Sequence, residues 1–257
     1  MNNNNTTVNH FVRIASSTFL FMLFAFTSFP AQSALLATWD NWTLTSEPYI
    51  ADDTLTGFSA NLNQVGSSTS RINGTFGSSD GTFGSIGSAA NTAGSLLVRA
   101  NTANTYLFNI TNSSGVDYTL DSLHFDFGPR EQGNDTDYGF NEFTLTYLSG
   151  GLGPDATEID AQSGLAYVIV GTTNPLEDLP DYNYNLSDDL SDVVLANGES
   201  AQFEIVFDGN AGSNGGNVSS VLDNIAFQGT AIPEPGTLIL FLLGITGGFF
   251  LSGKRRS

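Results

Sequence analysis

The chain has 257 residues, no cysteine and a formal net charge of −19. The lack of cysteine excludes disulfides, thiol catalysis and cysteine metal sites. Nearly all the acidic residues lie between residues 34 and 231, where 25 acidic side chains face three arginines and give this region a charge of −22. Such a surface repels nucleic acid and anionic lipid headgroups, and it attracts cations, calcium above all.

The first 33 residues have the layout of a secretory signal peptide. Arg13 precedes the apolar run STFLFMLFAFTSF (17–29), and small residues follow at Ala31 and Ser33. A basic residue, a short apolar core and small residues at a cleavage site, in that order, predict export by the general secretory machinery. We expect cleavage after Ser33, so that the mature chain begins at Ala34.

Residues 34–231 contain short runs in which polar and apolar residues alternate, separated by Gly, Asn, Asp and Ser. The clearest runs are TYLFNIT (105–111), SLHFDFG (122–128), EFTLTYL (142–148) and AQFEIVFDG (201–209), with further strands predicted over 36–45, 96–100, 165–170 and 220–229. A period of two with many aromatic and β-branched residues indicates strands. Many strands without intervening helices predict an all-β fold, a jelly-roll-like β-sandwich.

Four aromatic residues are candidates for sugar stacking. Trp39 and Trp42 are three residues apart, so in one strand they face opposite sides, one towards the core and one towards solvent. The run DYNYN (181–185) puts Tyr182 and Tyr184 on one side of a strand. An exposed aromatic ring stacks on a pyranose ring, and the alternative for each residue is packing in the core or at its rim.

The sequence offers no motif for catalysis. His124 is the only histidine after the signal peptide, and its alternation with Leu123 and Phe125 predicts that it points to solvent. No nucleophile-elbow motif is present, and one histidine excludes a histidine-rich zinc site. Glycoside hydrolysis needs only two carboxylates and stays open as a third possibility. We predict that the chain is not an enzyme.

Two stretches are candidate calcium sites. NDTDYGFNE (134–142) offers Asp135 and Asp137, but it is not an EF-hand loop, and the alternative is a solvated acidic loop. In VLDNIAFQGT (221–230), Asp223 has the parity of its apolar neighbours and faces the core unless a bulge intervenes. A buried carboxylate needs a partner, and a structural calcium ion is one candidate.

The C-terminal segment, residues 232–257, joins three features. They are the triplet Pro233, Glu234 and Pro235, the uncharged stretch 237–251, and the basic tail Lys254, Arg255 and Arg256. The prolines keep the triplet extended. The uncharged stretch spans about 22 Å as a helix, less than the ~30 Å of a bilayer core. The basic tail nevertheless marks a cytoplasmic flank, which predicts a single, weak or temporary transmembrane helix.

Triplet, apolar stretch and basic tail together resemble the PEP-CTERM sorting signal of Gram-negative bacteria, and Pro233, Glu234 and Pro235 match its motif. The resemblance implies that a membrane enzyme, exosortase, processes the tail. The protein is then anchored briefly in the inner membrane before it reaches the cell surface or the exterior. The stretch around Asp223 resembles the last strand of jelly-roll carbohydrate-binding modules, in which an Asp near the end holds structural calcium.

These expectations divide the chain into a signal peptide (1–33), an extracellular β-sandwich (34–231) and a sorting signal (232–257). The leading hypothesis is a non-catalytic module that binds extracellular polysaccharide of the cell's own surface or biofilm matrix. It rests on the predicted fold, the lack of a catalytic motif and the association of this sorting signal with exopolysaccharide-producing bacteria. The alternative is a structural surface or matrix protein without a specific ligand.

Overall fold

The computed structural model describes residues 33–39, 48–65, 70–73, 94–99, 104–131, 139–165, 168–169, 179–210 and 219–233. The chain divides into two units, Met1–Gln32 and Ser33–Ser257, and every described residue belongs to the second. In the part of the chain that is described, no helix is long and apolar enough to cross a membrane. Residues 1–32 of the predicted signal peptide and the predicted C-terminal helix lie outside the described residues.

The described residues form fifteen β-strands and one 3-10 helix, Leu186–Asp188. In chain order the strands are β1 (Ser33–Trp39), β2 (Tyr49–Ile50), β3 (Asp53–Thr54), β4 (Phe58–Val65), β5 (Ser70–Asn73), β6 (Gly94–Arg99), β7 (Asn104–Asn112), β8 (Tyr118–Glu131), β9 (Phe140–Gly150), β10 (Thr157–Ser163), β11 (Val168–Ile169), β12 (Asp181–Asn185), β13 (Val194–Leu195), β14 (Ser200–Asn210) and β15 (Ser219–Ala231). The prediction of an all-β fold is confirmed, and the four clearest alternating runs lie in β7, β8, β9 and β14.

The strands form two sheets. Sheet A has nine strands, with the order β11-β8-β15-β1-β3; β12 and β13 also pair with β8, β6 pairs with β15, and β5 pairs with β6. Sheet B has six strands, in the order β10-β9-β14-β7-β4-β2. All pairings are antiparallel except the short parallel one between β11 and β8. Buried residues of both sheets form one hydrophobic cluster, so the two sheets enclose one core between them.

Alternation along the strands builds that core. In β7 the residues alternate strictly between buried and half-buried, with Tyr106, Phe108 and Ile110 inward. Rings from the two sheets meet between them: Phe127 of sheet A stacks on Phe207 of sheet B with ring centroids 4.2 Å apart. Trp39 of sheet A meets Phe108 of sheet B edge to face at 6.0 Å. The predicted β-sandwich is therefore confirmed.

Candidate functional site

The outer side of sheet A carries a buried polar cluster. In β8 the residues Leu123, Phe125 and Phe127 point to the core, so His124 and Asp126 point the other way.

Asp126 lies directly opposite Asp181 of β12 and Asp223 of β15. Residues directly opposite one another in a sheet share a face, so these three aspartates form one row across three strands. We call His124, Asp126, Asp181, Asp223 and Asn224 the Asp126 cluster.

A β-bulge brings Asp223 into this row. Between the pairs Asp223–Asp126 and Ala226–His124, β15 advances by three residues while β8 advances by two. Asn224 takes the extra position with φ of 46°, in the left-handed region that asparagine tolerates better than most residues. The sequence predicts that Asp223 faces the core unless a bulge intervenes. The bulge is present, and it places Asp223 on the outer side of the sheet beside Asp126. It is fully buried there.

Short contacts hold the Asp126 cluster together. Nε2 of His124 lies 3.0 Å from Oδ1 of Asp126, and Nδ2 of Asn224 donates to Oδ2 of Asp126 at 2.6 Å. The atoms of His124, Asp126 and Asp181 that could bind a metal ion all lie within 4.8 Å of one another. The prediction that His124 points to solvent is wrong, because residues 123–128 are all buried and both sides of β8 are covered here.

Burial changes the protonation of Asp126. Its pKa is raised to about 10, first because burial removes water from the carboxylate and next because the side chain of Asp181 hydrogen-bonds to it. The charges of Asp181 and Asp223 raise the pKa further, while the bond from Asn224 lowers it. Without a bound cation, Asp126 therefore holds a proton at neutral pH.

The predicted calcium ligands are only partly within the described residues. Asp223 lies in the Asp126 cluster, whereas Asp135 and Asp137 lie outside the described part of the chain. A calcium site that includes Asp135 and Asp137 therefore stays a prediction. No local pattern groups Asp181 with Asp223, because the two residues lie in strands that meet only through β8.

The outer side of sheet B carries a row of side-chain amides. Gln202 of β14 lies opposite Asn109 of β7, and Asn109 lies opposite Asn61 of β4. Nε2 of Gln202 donates to Oδ1 of Asn109 at 2.8 Å, and Nδ2 of Asn109 donates to Oδ1 of Asn61 at 3.1 Å. Nδ2 of Asn63 donates to the same Asn61 oxygen at 3.0 Å. We call Asn61, Asn63, Asn109 and Gln202 the amide face.

The amide face is open to solvent and polar. All four of its residues are half-buried, with the buried core residues of β4, β7 and β14 between them. The next outward row in the sheet runs through Asn63, Leu107, Glu204 and Thr146. A side-chain amide offers two donor hydrogens and two acceptor lone pairs, so the bonds within the row use only part of its capacity. The alternation in the sequence gives the outward positions of Asn109 and Gln202, but aromatic residues were the stronger sequence signal for a sugar site.

The candidate stacking tyrosines lie at the rim of the core. Tyr182 and Tyr184 share one side of β12, as predicted, and both are half-buried. Tyr182 stacks on Phe125 with ring centroids 5.3 Å apart, and Phe125 also contacts Tyr184 at 6.0 Å. The Tyr184 hydroxyl donates to Oδ2 of Asp160 at 2.7 Å. Burial, and then this bond to Asp160, raise the pKa of Tyr184 above its ordinary value.

The two tryptophans differ in what the structure describes. Trp39 is buried, its indole Nε1 donates to the carbonyl oxygen of Tyr49 at 3.1 Å, and its ring meets Phe108 and Phe227. A ring enclosed in this way offers no free face to a sugar, so Trp39 is removed from the stacking candidates. Trp42 lies outside the described residues.

Sequence comparison gives no relative for this chain: no family model matches it, and no curated protein matches it. Among solved structures, it resembles the non-crystalline cellulose-specific carbohydrate-binding module CBM28 with a TM-score of 0.36 and 16% identity, over 73% of this chain and 96% of that chain. It resembles the family 11 carbohydrate-binding module of Clostridium thermocellum, in complex with a mixed-linked tetrasaccharide, with a TM-score of 0.33 and 10% identity, over 76% and 96%.

A third resemblance is to the K3 cleaved adhesin domain of Lys-gingipain from Porphyromonas gingivalis, with a TM-score of 0.30 and 14% identity, over 55% of this chain and 77% of that chain. At these identities and TM-scores, the similarities say nothing about what this chain binds. The assignment of a β-sandwich rests on the two sheets themselves.

Proposed function

We propose that the chain is a non-catalytic carbohydrate-binding module and that the glycan lies on the amide face. One observation supports this proposal above the others: on the open side of sheet B, three side-chain amides in register across neighbouring strands, and a fourth next to them on β4, are joined by hydrogen bonds. Sugar hydroxyls both donate and accept hydrogen bonds, as amides do. Because the row is already held by its own bonds, its side chains lose little conformational freedom when a glycan binds.

The charges around the amide face favour an uncharged glycan. Glu204 lies in the next outward row beside Thr146, and Glu142 lies opposite Asp208 further along the sheet. These carboxylates disfavour a polyanion unless cations bridge the two. We therefore propose a neutral stretch of extracellular polysaccharide as the ligand.

Hydrogen bonding, not stacking, is the proposed means of recognition. The aromatic side chains in the described strands of sheet B are all buried in the core, as the pairs Tyr106–Phe207 and Tyr147–Phe203 illustrate. An aromatic ring that stacks on the sugar therefore has to lie next to the amide face, not on it. Trp42, which lies outside the described residues, stays a candidate for this role.

The geometry of the Asp126–Asp181 pair differs from that of the two carboxyl groups of a glycosidase. Glycosidases place two carboxyl groups about 5–9.5 Å apart on either side of a sugar in a cleft. Asp126 and Asp181 hydrogen-bond to each other, and Asp126 is fully buried. This arrangement favours a structural role for the pair over the hydrolysis of a glycosidic bond.

Calorimetric titration with neutral oligosaccharides from the host's own exopolysaccharide tests the proposal. We expect saturable binding by the full-length chain, weakened about 10- to 100-fold by the double change Asn109→Ala and Gln202→Ala. The factor follows from about 0.5–1.5 kcal/mol for each net hydrogen bond lost.

Asn183→Ala is the matched control, because it removes an exposed amide from sheet A. Titrations in calcium and in chelator separate direct binding from binding bridged by cations. If a well-folded sample binds no glycan in either condition, the proposal fails, and a structural surface or matrix protein without a ligand replaces it.

We also propose that the chain is exported, held briefly in the inner membrane and released to the cell surface or exterior by exosortase. The described residues reach the start of the triplet: the Ile232 N–H donates to the Asp117 carbonyl oxygen at 2.8 Å, and the following residue, Pro233, is exposed. The two prolines favour an extended triplet, and an extended segment suits a protease. Glu234 and Pro235 lie outside the described residues.

Mass spectrometry of the extracellular protein tests the sorting proposal. We expect a chain that starts at Ala34 and lacks Lys254, Arg255 and Arg256. Host cells without the sorting enzyme are the control, and there the intact tail should remain in the membrane fraction. A released protein that keeps its basic tail contradicts the proposal.

A further inference from the structure

The Asp126 cluster brings three aspartates together across neighbouring strands of sheet A. Like charges directly opposite one another in a sheet are destabilising, and Asp126 has an aspartate opposite it on both neighbouring strands. Asp126 and Asp223 are both fully buried, where an ionised carboxylate is costly without a compensating charge. A cation bound to Asp126 and Asp181 is one group that supplies this compensation.

We infer that the Asp126 cluster is a structural site for a divalent transition-metal ion of the Zn²⁺ or Mn²⁺ class. Nε2 of His124 and carboxylate oxygens of Asp126 and Asp181 are the proposed ligands. The three proposed donor atoms already lie within 4.8 Å of one another.

The distance between the ligand atoms fits this class of metal. Nε2 of His124 and Oδ1 of Asp126 are 3.0 Å apart. Two ligands that each lie about 2.0–2.2 Å from one ion are separated by about 3.0–3.4 Å when the angle between them is near 90–110°. One ion therefore bridges this pair with little movement of either side chain.

The donor set and the burial favour a transition metal over calcium. Calcium takes six to eight oxygen ligands, often including water, whereas the Zn²⁺ class accepts imidazole nitrogen and is satisfied by four ligands. His124, Asp126 and Asp223 are fully buried, which leaves little room for the waters that calcium would need. The inference therefore departs from the calcium ion that the sequence predicts for Asp223.

The position of the cluster gives the metal a structural role. Its ligands come from β8 and β12, so one ion ties these two strands of sheet A together. His124 and Asp126 are fully buried, so the site holds no place for a substrate. This role is independent of the amide face, which lies on the other sheet.

The test is thermal unfolding of the full-length chain after dialysis against chelator, with Zn²⁺, Mn²⁺ or Ca²⁺ added back separately. At a hundred times its Kd, a metal that binds only the folded chain raises the folded-to-unfolded ratio about 100-fold. We expect a rise in Tm of about 5–10 °C with Zn²⁺ or Mn²⁺. Elemental analysis of the reloaded chain should find one metal ion per chain.

Two variants separate metal binding from folding. Asp126→Asn keeps the shape of the side chain and removes a buried carboxyl, so the metal-free variant should melt no lower than the parent chain and should lose the metal-induced rise. His124→Gln should weaken Zn²⁺ binding at least 10-fold. Asp155→Asn, at an exposed position, is the control and should leave the rise unchanged.

Three outcomes overturn the inference. One is a Tm that is the same in chelator and in each metal. The second is a rise with Ca²⁺ alone, which would replace the transition metal by calcium. The third is a metal-induced rise that survives in a folded Asp126→Asn variant, which would move the site elsewhere.

Discussion

Replacing Phe207 by alanine is expected to lower the free energy of unfolding by about 3–5 kcal/mol, the usual cost of removing a buried phenylalanine ring. Phe207 is fully buried and joins the two sheets. Its ring stacks on Phe127 at 4.2 Å and meets Tyr106 and Phe143 at 5.6 and 6.4 Å. Without disulfides, the sandwich has no covalent cross-link to offset the cavity.

Urea denaturation of the parent chain and the variant measures this loss. Phe207→Leu is the matched control, because it keeps most of the buried volume and should cost less than half as much as the alanine variant. A loss below about 1 kcal/mol for Phe207→Ala would mean that the two sheets do not share a core at this ring.

The second large effect is expected for Gly150→Ala, at the end of β9. Gly150 has φ of 131°, which L-residues rarely adopt, and it lies opposite Ala201 of β14. A Cβ here would overlap the carbonyl oxygen of Ser200 and come within 2.9 Å of the Ala201 Cα. These are backbone atoms, so β14 itself has to move. We expect a loss of about 3 kcal/mol or more, from backbone strain and the clash together.

Gly198→Ala isolates the strain from the clash. Gly198 also has positive φ, at 91°, but an added Cβ there meets nothing within 4 Å. This control should cost about 1–2 kcal/mol, the price of the left-handed conformation alone. Equal losses at the two glycines, measured by the same denaturation, would contradict the close approach of β9 and β14.

The sequence predicts much of this fold because alternation is a local signal. In β7 the inward residues Tyr106, Phe108 and Ile110 follow each other at a period of two, and all are buried. The same holds for Phe203, Ile205 and Phe207 in β14. Such runs state which side of a strand is apolar, and that side has to pack against another sheet.

The candidate sites depend on information that alternation does not carry. The row of three aspartates exists because β8 lies between β12 and β15 and because a bulge at Asn224 shifts the register by one residue. Local alternation of residues determines neither the order of the strands nor the position of the bulge. His124 shows the same limit, since its outward parity is correct but the outer side of β8 is covered.

The amide face is a related case. Its residues occupy outward positions that the alternation predicts for Asn109 and Gln202, yet their alignment into one row follows from the pairing of β4, β7 and β14. Trp39 is the reverse case, because the sequence suggests a sugar-binding role that the structure does not support. Its residue type favours sugar binding, but the packing of β1 against Phe108 and Phe227 places it in the core.

The central claim is that the amide face binds a neutral glycan. The most direct measurement is a nuclear magnetic resonance titration that follows the side-chain NH₂ signals of Asn61, Asn63, Asn109 and Gln202 as oligosaccharide from the host's exopolysaccharide is added. The claim predicts saturable shifts of these signals with one common Kd, while the signal of Asn183 on sheet A stays in place. Shifts confined to Asn183 and its surroundings, or no shifts at saturating oligosaccharide, would contradict it.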